Sequence, residues 1–396
     1  MAGGKGTRLA NINPNLPKPM IPIAGKPVLE WQISNLRQQG INNITIAIGY
    51  LGHVVKNFFG DSVNYIEETT PLGTAGALYF LNKKIKEDFL LINGDVIFDV
   101  DMNRFYQAHL KQKGVITIFT HPNDHPYDSG VIVTDDCNRV TKWYTKDEER
   151  GFYKNRTNAG LHLVSPIVLK QFKKPSPVDL DRDILKPMAL KKSLFVYDSP
   201  EYVKDMGTPQ RHKQVEQDIL NGRVMAKNLA NKQKCVFIDR DGTINKHVGF
   251  LYKIEDFELL PGVAKIIKNI NKSGYLAIIV TNQPVIARGE VAWEGLIEIH
   301  NKMETLLGEQ GAYVDDIYVC PHHPNKGFAG EVIAYKTVCE CRKPKPGMLL
   351  DAAKKYNIDL SRSYMVGDSI SDEEAGRQAG CAGYFNSLDA FKKMLN

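Results

Sequence analysis

Asp239-Arg240-Asp241-Gly242-Thr243 follows directly on the apolar run Cys235-Val236-Phe237-Ile238. Residues two apart on an extended segment point the same way, so Asp239 and Asp241 share one pocket at a strand's end. In phosphoryl transfer such a pair divides the labour. Asp239 attacks phosphorus to give an aspartyl-phosphate, while Asp241 protonates the leaving alkoxide and then activates water. Gly242 lets the backbone turn sharply away. A magnesium ion is needed to keep two carboxylates and a phosphate together, and Gly367-Asp368 behind Tyr364-Met365-Val366, with Asp372 nearby, offers its ligands. Thr281 and Asn282, closing another apolar run, can hydrogen-bond the phosphate, and Lys343 can neutralise it. A D-x-D-G stretch alone is also a common surface turn; the pieces together, in this order, carry the reading.

Of the 6 cysteines, Cys320, Cys339 and Cys341 lie close together in sequence, whereas Cys137, Cys235 and Cys381 are isolated. That spacing suits a metal cluster in a reducing compartment better than a disulfide framework. Cys320-Pro321-His322 and Cys339-Glu340-Cys341 supply three thiolates and an imidazole, a closed tetrahedral set of the structural zinc kind. Cys320, His322, Cys339 and Cys341 are the expected ligands, with His323 able to replace His322. Zinc there would fasten the loop that delivers Arg342 and Lys343 to the phosphate, shaping the site without entering the chemistry.

Nearer the start, Gly3-Gly4-Lys5-Gly6-Thr7-Arg8 is a glycine-rich loop whose backbone N–H groups can line a phosphate chain, with Arg8 free to meet a departing pyrophosphate. Lys18 is held between Pro17 and Pro19; Gly73-Thr74-Ala75-Gly76 is a second tight loop, and Asn93-Gly94-Asp95 puts a carboxylate just beyond a strand. Lys18 also reads as a solvated turn residue.

The second half resembles the haloacid dehalogenase superfamily, matching its motifs at Asp239 to Thr243, Thr281-Asn282-Gln283, Lys343 and Gly367-Asp368. The cysteine loop narrows this to a likeness to the D-glycero-D-manno-heptose 1,7-bisphosphate phosphatases and their histidinol-phosphatase relatives. Magnesium on Asp239, Asp241 and Asp368 is implied. These phosphatases usually continue after the Gln with a serine and a glycine, whereas this chain has Pro284 and Val285. The fixed φ and missing N–H of Pro284 bear on which sugar fits. Arg288 is a candidate clamp for the distal phosphate, and equally reads as a solvated surface arginine.

The first half resembles the sugar-1-phosphate nucleotidyltransferases, through the residues above together with Asn158-Ala159-Gly160 and Asp205-Met206-Gly207-Thr208-Pro209. The resemblance implies magnesium on Asp95 and Asp205, substrate contacts at Gly3, Gly4, Gly6, Thr7, Gly73, Thr74, Gly76, Asn158 and Gly160, and charge neutralisation by Lys18 and Arg8. Asp205 also reads as a helix-capping acid. A sugar phosphate would attack the α-phosphorus of a nucleoside triphosphate in line, so positioning and neutralisation suffice and no covalent intermediate forms. The family's glycine loop follows a central apolar strand, and this sequence begins at the loop itself; an upstream start is the expectation.

The elements that must position these residues alternate short β-branched runs with amphipathic stretches along all 396 residues. That rhythm predicts an α/β fold, and the two resemblances imply two Rossmann-like domains: a GT-A-like mixed sheet over 1–227, and a haloacid-dehalogenase-like parallel sheet with a zinc loop over 228–396. The boundary is placed in a polar stretch without strand signal around Asn228-Leu229-Ala230-Asn231-Lys232. Hydrophobic residues make up 43% and charged residues 24%, enough for real cores, and no apolar run approaches the ~18 residues of a membrane span. The opening residues lack the pattern of a signal peptide, so cytoplasm is the expectation. A net charge of +6 is spread along the chain without a basic block, which favours small anionic substrates over nucleic acid.

Together these readings predict a phosphatase that removes the 7-phosphate of heptose 1,7-bisphosphate and a transferase that couples heptose 1-phosphate to GTP. Two alternatives stay open: a phosphatase for histidinol phosphate or another sugar phosphate, and a first half that binds nucleotide or oligomerises without turnover.

Overall fold

A run such as Cys235-Val236-Phe237-Ile238, apolar at every position, suits a strand covered on both faces. In the computed structural model, which describes Met1 and residues 15–395, it lies in the strand Lys234–Ile238, central in a five-stranded sheet. The order is Asp316–Cys320, Tyr275–Asn282, Lys234–Ile238, Tyr364–Val366, Gly383–Phe385, with every pairing parallel. Alternation splits the central strand between two cores. Val236 and Ile238 pack with Ile266 and Ile270 of the helix Val263–Lys272 and with Met303 of Trp293–Glu309, while Cys235 and Phe237 pack with Leu349 of Gly347–Tyr356 and Ala375 of Ile370–Ala379. Such a sheet presents its functional groups beyond the C-terminal ends of its strands.

The chain divides into two compact units, and the unit with this sheet comprises Ala226–Asn396 together with the earlier segments Pro122–Val131 and Tyr144–Thr157. The segments are held by specific bonds. Tyr153 N donates to Thr305 Oγ1 at 3.0 Å, Asn155 N to Glu304 Oε2 at 3.1 Å, and Arg156 Nη2 to Asp315 O at 2.9 Å. Gly308 has to be glycine there, because a Cβ would come within 2.7 Å of Pro126 Cγ.

The other unit comprises Met1–His121, Ile132–Trp143 and Asn158–Met225. Its largest sheet among the described residues has four strands, ordered Leu194–Asp198, Ile116–His121, Thr157–Val164, Phe89–Ile92. The first pair is parallel and the last antiparallel, so the sheet is mixed. Tyr202–Asp205 pairs antiparallel with Val96–Asp99, setting Asp205 opposite Val96. Among the described residues no helix is long and apolar enough to cross a membrane.

Candidate active sites

Asp239 and Asp241 both line a cleft of about 220 Å³ beyond the sheet, as period-two alternation requires. Gly242 turns the chain at φ +82°, and a Cβ there would meet Asp368 Oδ2 at 1.9 Å, so only glycine lets this acid approach. Lys343 Nζ donates to Asp239 Oδ1 at 2.6 Å and also to Asp372 Oδ1. The lysine is placed by Asn282, whose Oδ1 accepts from Lys343 N and whose Nδ2 donates to Lys343 O, both at 3.0 Å. Thr281, Asn282, Arg342 and Asp368 line the same cleft.

Burial pushes the Asp239 carboxyl up to about 6, with Lys343 pulling it back and Asp372 adding to the rise. For Lys343, burial works against the ammonium, but Asp239 and Asp372 outweigh it and raise its pKa. Asp241 stands apart from this group. Burial would raise it, yet Arg240, Asn245 and Gln283 together hold it below the usual range. Asp239, Asp368 and Asp372 each offer an oxygen, and these lie within 4.8 Å of one another, a hard donor set of the kind magnesium takes. The Asp241 carboxylate, expected among the ligands, is instead bonded to Arg240, Asn245 and Gln283.

Asp372, named from sequence only as a neighbour of Asp368, is thus one of the three converging acids. Its signal was the Ser369-x-x-Asp372 pattern, a capping box at the start of Ile370–Ala379 that fixes the side chain beside Asp368. Gln283, quoted from sequence as part of the Thr281-Asn282-Gln283 match but given no role there, bridges Asp241 Oδ2 at 2.7 Å and Thr281 Oγ1 at 2.8 Å through its Nε2. Pro284 and Val285 line the cleft, whereas Arg288 does not. Arg288 lies between the rings of Phe250, at 4.1 Å, and Phe328, at 4.4 Å, and bonds Glu290 at 2.7 Å. That stack draws the cleft-lining segment around Phe250 to the loop around Phe328.

Cys320, His322, Cys339 and Cys341 converge, with Cys341 Sγ at 3.3 Å from Cys320 Sγ, Cys339 Sγ and His322 Nδ1. Three soft thiols and an imidazole suit tetrahedral zinc. His323 lies outside the cluster, its Nδ1 accepting from Asn325 N. Arg342 Nη1 donates to His322 O at 3.1 Å, so the cluster and the cleft share one loop.

In the other unit, Lys18, on a short turn over Lys18–Met20, bonds Asp95. Asp205 accepts from Gly207 N at 2.7 Å and from Arg211 Nη1 at 3.0 Å. Burial would raise Asp205, but Arg211 and that N–H hold it below its ordinary value. Arg211, one turn into a helix capped by Thr208, had no signal in the sequence beyond its spacing from Asp205. The antiparallel register brings Asp205 to the strand that begins one residue after Asp95. Gly160, at φ +78°, faces Asn93 so closely that a Cβ would meet its Nδ2 at 2.7 Å, and Gly160 N donates to Asn158 Oδ1. Gly73 and Gly76 lie close against another backbone segment: an added Cβ would come within 2.6 Å of Val178 O and 2.5 Å of Ser176 O. The Thr74 hydroxyl is occupied by Leu180 N and Asp179. Gly3, Gly4, Gly6, Thr7 and Arg8 lie outside the described residues.

Two family models match the chain, one toward each end. The nucleotidyl transferase family matches residues 1–222, and the haloacid dehalogenase-like hydrolases match residues 190–380. The D-glycero-beta-D-manno-heptose-1,7-bisphosphate 7-phosphatase of Rhodopseudomonas palustris is 39% identical over 169 residues, 42% of this chain and 92% of that protein. The enzyme of the same name from Photorhabdus laumondii is 44% identical over 144 residues, 36% of this chain and 74% of its own. A crystal structure of D,D-heptose 1.7-bisphosphate phosphatase from B. bronchiseptica complexed with magnesium and phosphate is 32% identical, covering 41% of this chain and 98% of that one, with a TM-score of 0.37. The chain belongs to the nucleotidyl transferase family through its first part and to the haloacid dehalogenase-like hydrolases through its second.

Proposed function

We propose that this chain carries out two consecutive steps toward GDP-D-glycero-D-manno-heptose. Residues 228–396 remove the 7-phosphate of heptose 1,7-bisphosphate, and residues 1–227 transfer GMP from GTP to the heptose 1-phosphate so formed. The observation that carries the first step is Lys343 bridging Asp239 and Asp372 in a cleft that also presents Asp241. The relatives that match this part support the sugar, and the transferase family supports the second step.

In the first step an Asp239 oxygen attacks phosphorus, the ester P–O bond breaks, and its electron pair leaves on the sugar oxygen, which takes a proton from Asp241. Water then gives a proton to Asp241 and attacks the same phosphorus, releasing phosphate and restoring the Asp239 carboxylate. Lys343 offsets the charge of the arriving phosphate, while Thr281, Asn282 and Arg342 orient it. Magnesium held by Asp239, Asp368 and Asp372 would supply further charge neutralisation. Zinc on the Cys320, His322, Cys339, Cys341 cluster would fix the loop that carries Arg342 and Lys343. In the transferase unit Asp95 and Asp205 are the proposed magnesium ligands, with Lys18 neutralising the triphosphate.

The full chain supplied with heptose 1,7-bisphosphate, GTP and magnesium should yield phosphate, pyrophosphate and GDP-heptose. Phosphate release without a nucleotide sugar would sink the two-step reading.

A further inference from the structure

Arg240 stands between nucleophile and acid in sequence, yet it does not line the cleft and its side chain is wholly buried. Burying a guanidinium is costly unless its N–H groups are met by well-placed acceptors. Here they are. Nη2 donates to Asp241 Oδ1 at 2.9 Å and Oδ2 at 2.8 Å, Nε reaches Oδ1 at 3.2 Å, and Nη1 faces His300 Nε2 at 3.1 Å. Because an arginine can only donate, His300 Nε2 has to be the acceptor, which requires a neutral ring with its proton on Nδ1. Burial, helped by the adjacent guanidinium, drives the His300 pKa down to about 3, in keeping with a neutral ring. His300 sits mid-way along Trp293–Glu309, a helix packed on the sheet through Ile299 and Met303, so it is a rigid anchor.

We propose that Arg240 and His300 are positioning residues of the phosphatase reaction: His300 fixes the guanidinium, and the guanidinium fixes the direction in which Asp241 presents its oxygens to the leaving group and to water. Gln283 and Asn245 complete the set of donors from other sides, at 2.7 Å to Oδ2 and 3.0 Å to Oδ1. A carboxylate held by the arginine fork and these two side-chain amides has a defined plane, and proton transfer depends on that plane. Loss of the His300 acceptor leaves an N–H of the buried fork without its partner and lets the fork turn. The nucleophile Asp239, held separately by Lys343, is untouched.

This rests on the phosphatase reading, and the test separates the two. Release of the leaving alcohol in the first turnover, which precedes water attack, is measured together with phosphate release for the full chain with magnesium, on heptose 1,7-bisphosphate, whose alkoxide leaving group needs a proton, and on p-nitrophenyl phosphate, whose leaving group does not. His300→Met, similar in bulk but a poor acceptor, should lower the first-turnover rate on the sugar phosphate by about 10- to 100-fold with substrate affinity nearly unchanged, and change the first-turnover rate on p-nitrophenyl phosphate by no more than about threefold. His300→Gln, whose amide oxygen can accept from Arg240, should recover most of the loss. In an Asp241→Asn background His300→Met should cost nothing more. Should the methionine variant not fold, Arg240→Lys, which keeps the cation and loses the fork, carries the same prediction. Equal first-turnover losses on both esters, a change confined to substrate affinity, no recovery with Gln, or additive losses with Asp241→Asn overturn the proposal. Wild-type chain that releases no phosphate from either ester overturns the phosphatase reading and this one with it.

Discussion

Arg156 Nη1 donates to Glu304 Oε2 at 3.0 Å across 148 residues of sequence, and the two side chains are only 4% and 3% exposed. Arg156 belongs to the segment Tyr144–Thr157, which folds into the same unit as the phosphatase sheet although it precedes that sheet in the chain. Removing one partner of a buried ion pair leaves a charge that water cannot reach, at a cost of roughly 3–5 kcal/mol. Arg156→Met should therefore lower the urea midpoint of the phosphatase unit, and Arg156→Met with Glu304→Leu should recover part of the loss. A fragment of residues 228–396 lacks Arg156 altogether and should unfold at lower urea than the same unit in the full chain. Coincident midpoints would refute the assigned role.

Asp239→Asn should reduce phosphate release to background while leaving pyrophosphate formation from GTP and heptose 1-phosphate intact, because the amide cannot form the aspartyl-phosphate. Trapping a phosphorylated intermediate in wild type and its loss in the variant is the accompanying check. Labelling that persists in the variant would move the nucleophile elsewhere.

Cys339→Ser should lower the zinc content of the purified chain and its thermal midpoint together, since a hard oxygen replaces a soft thiolate. With the loop loosened, KM for the sugar bisphosphate should rise more than kcat falls, because Arg342 and Lys343 ride on it. Metal analysis showing no zinc in wild type would remove the basis of this prediction.

His162 is buried in the strand Thr157–Val164, and burial drives its ring down to about 4, with the Leu91 backbone pulling slightly the other way. Its unfolded value is near 6.5, so a proton binds the unfolded chain more readily than the folded one. The sign follows: stability is full above about pH 6.5, falls as the pH drops toward about 4, and loses roughly 3 kcal/mol from this group. His162→Leu should flatten that part of the stability profile for the transferase unit. An unchanged acid slope in the variant would show that other groups dominate.

Much of the phosphatase site was legible in sequence because its chemistry sits at strand ends. An apolar run followed by D-x-D-G fixes both the strand and, through alternation, the shared direction of Asp239 and Asp241. The cysteine spacing likewise foretold the convergence of Cys320, His322, Cys339 and Cys341. Composition and the repeated βα rhythm were enough for an α/β fold; that the sheet is parallel in the second unit and mixed in the first agrees with what the two resemblances implied.

Other facts depended on distant parts of the chain coming together, which local pattern does not encode. That Arg288 lies against both Phe250 and Phe328 is not written in the residues around it. That the backbone of Ser176 and Val178 is pressed against Gly73 and Gly76 is not written in the residues around those glycines. Nothing around Arg156 says that Glu304 waits in a buried helix face, and nothing around Arg240 says that His300 closes its fork. The sequence by itself determined which strands end in chemistry, because period-two geometry and apolar runs are local. Only the tertiary structure decided which charges are paired and which side chains face the cleft, because the desolvation that forces such pairing arises only once the chain has packed.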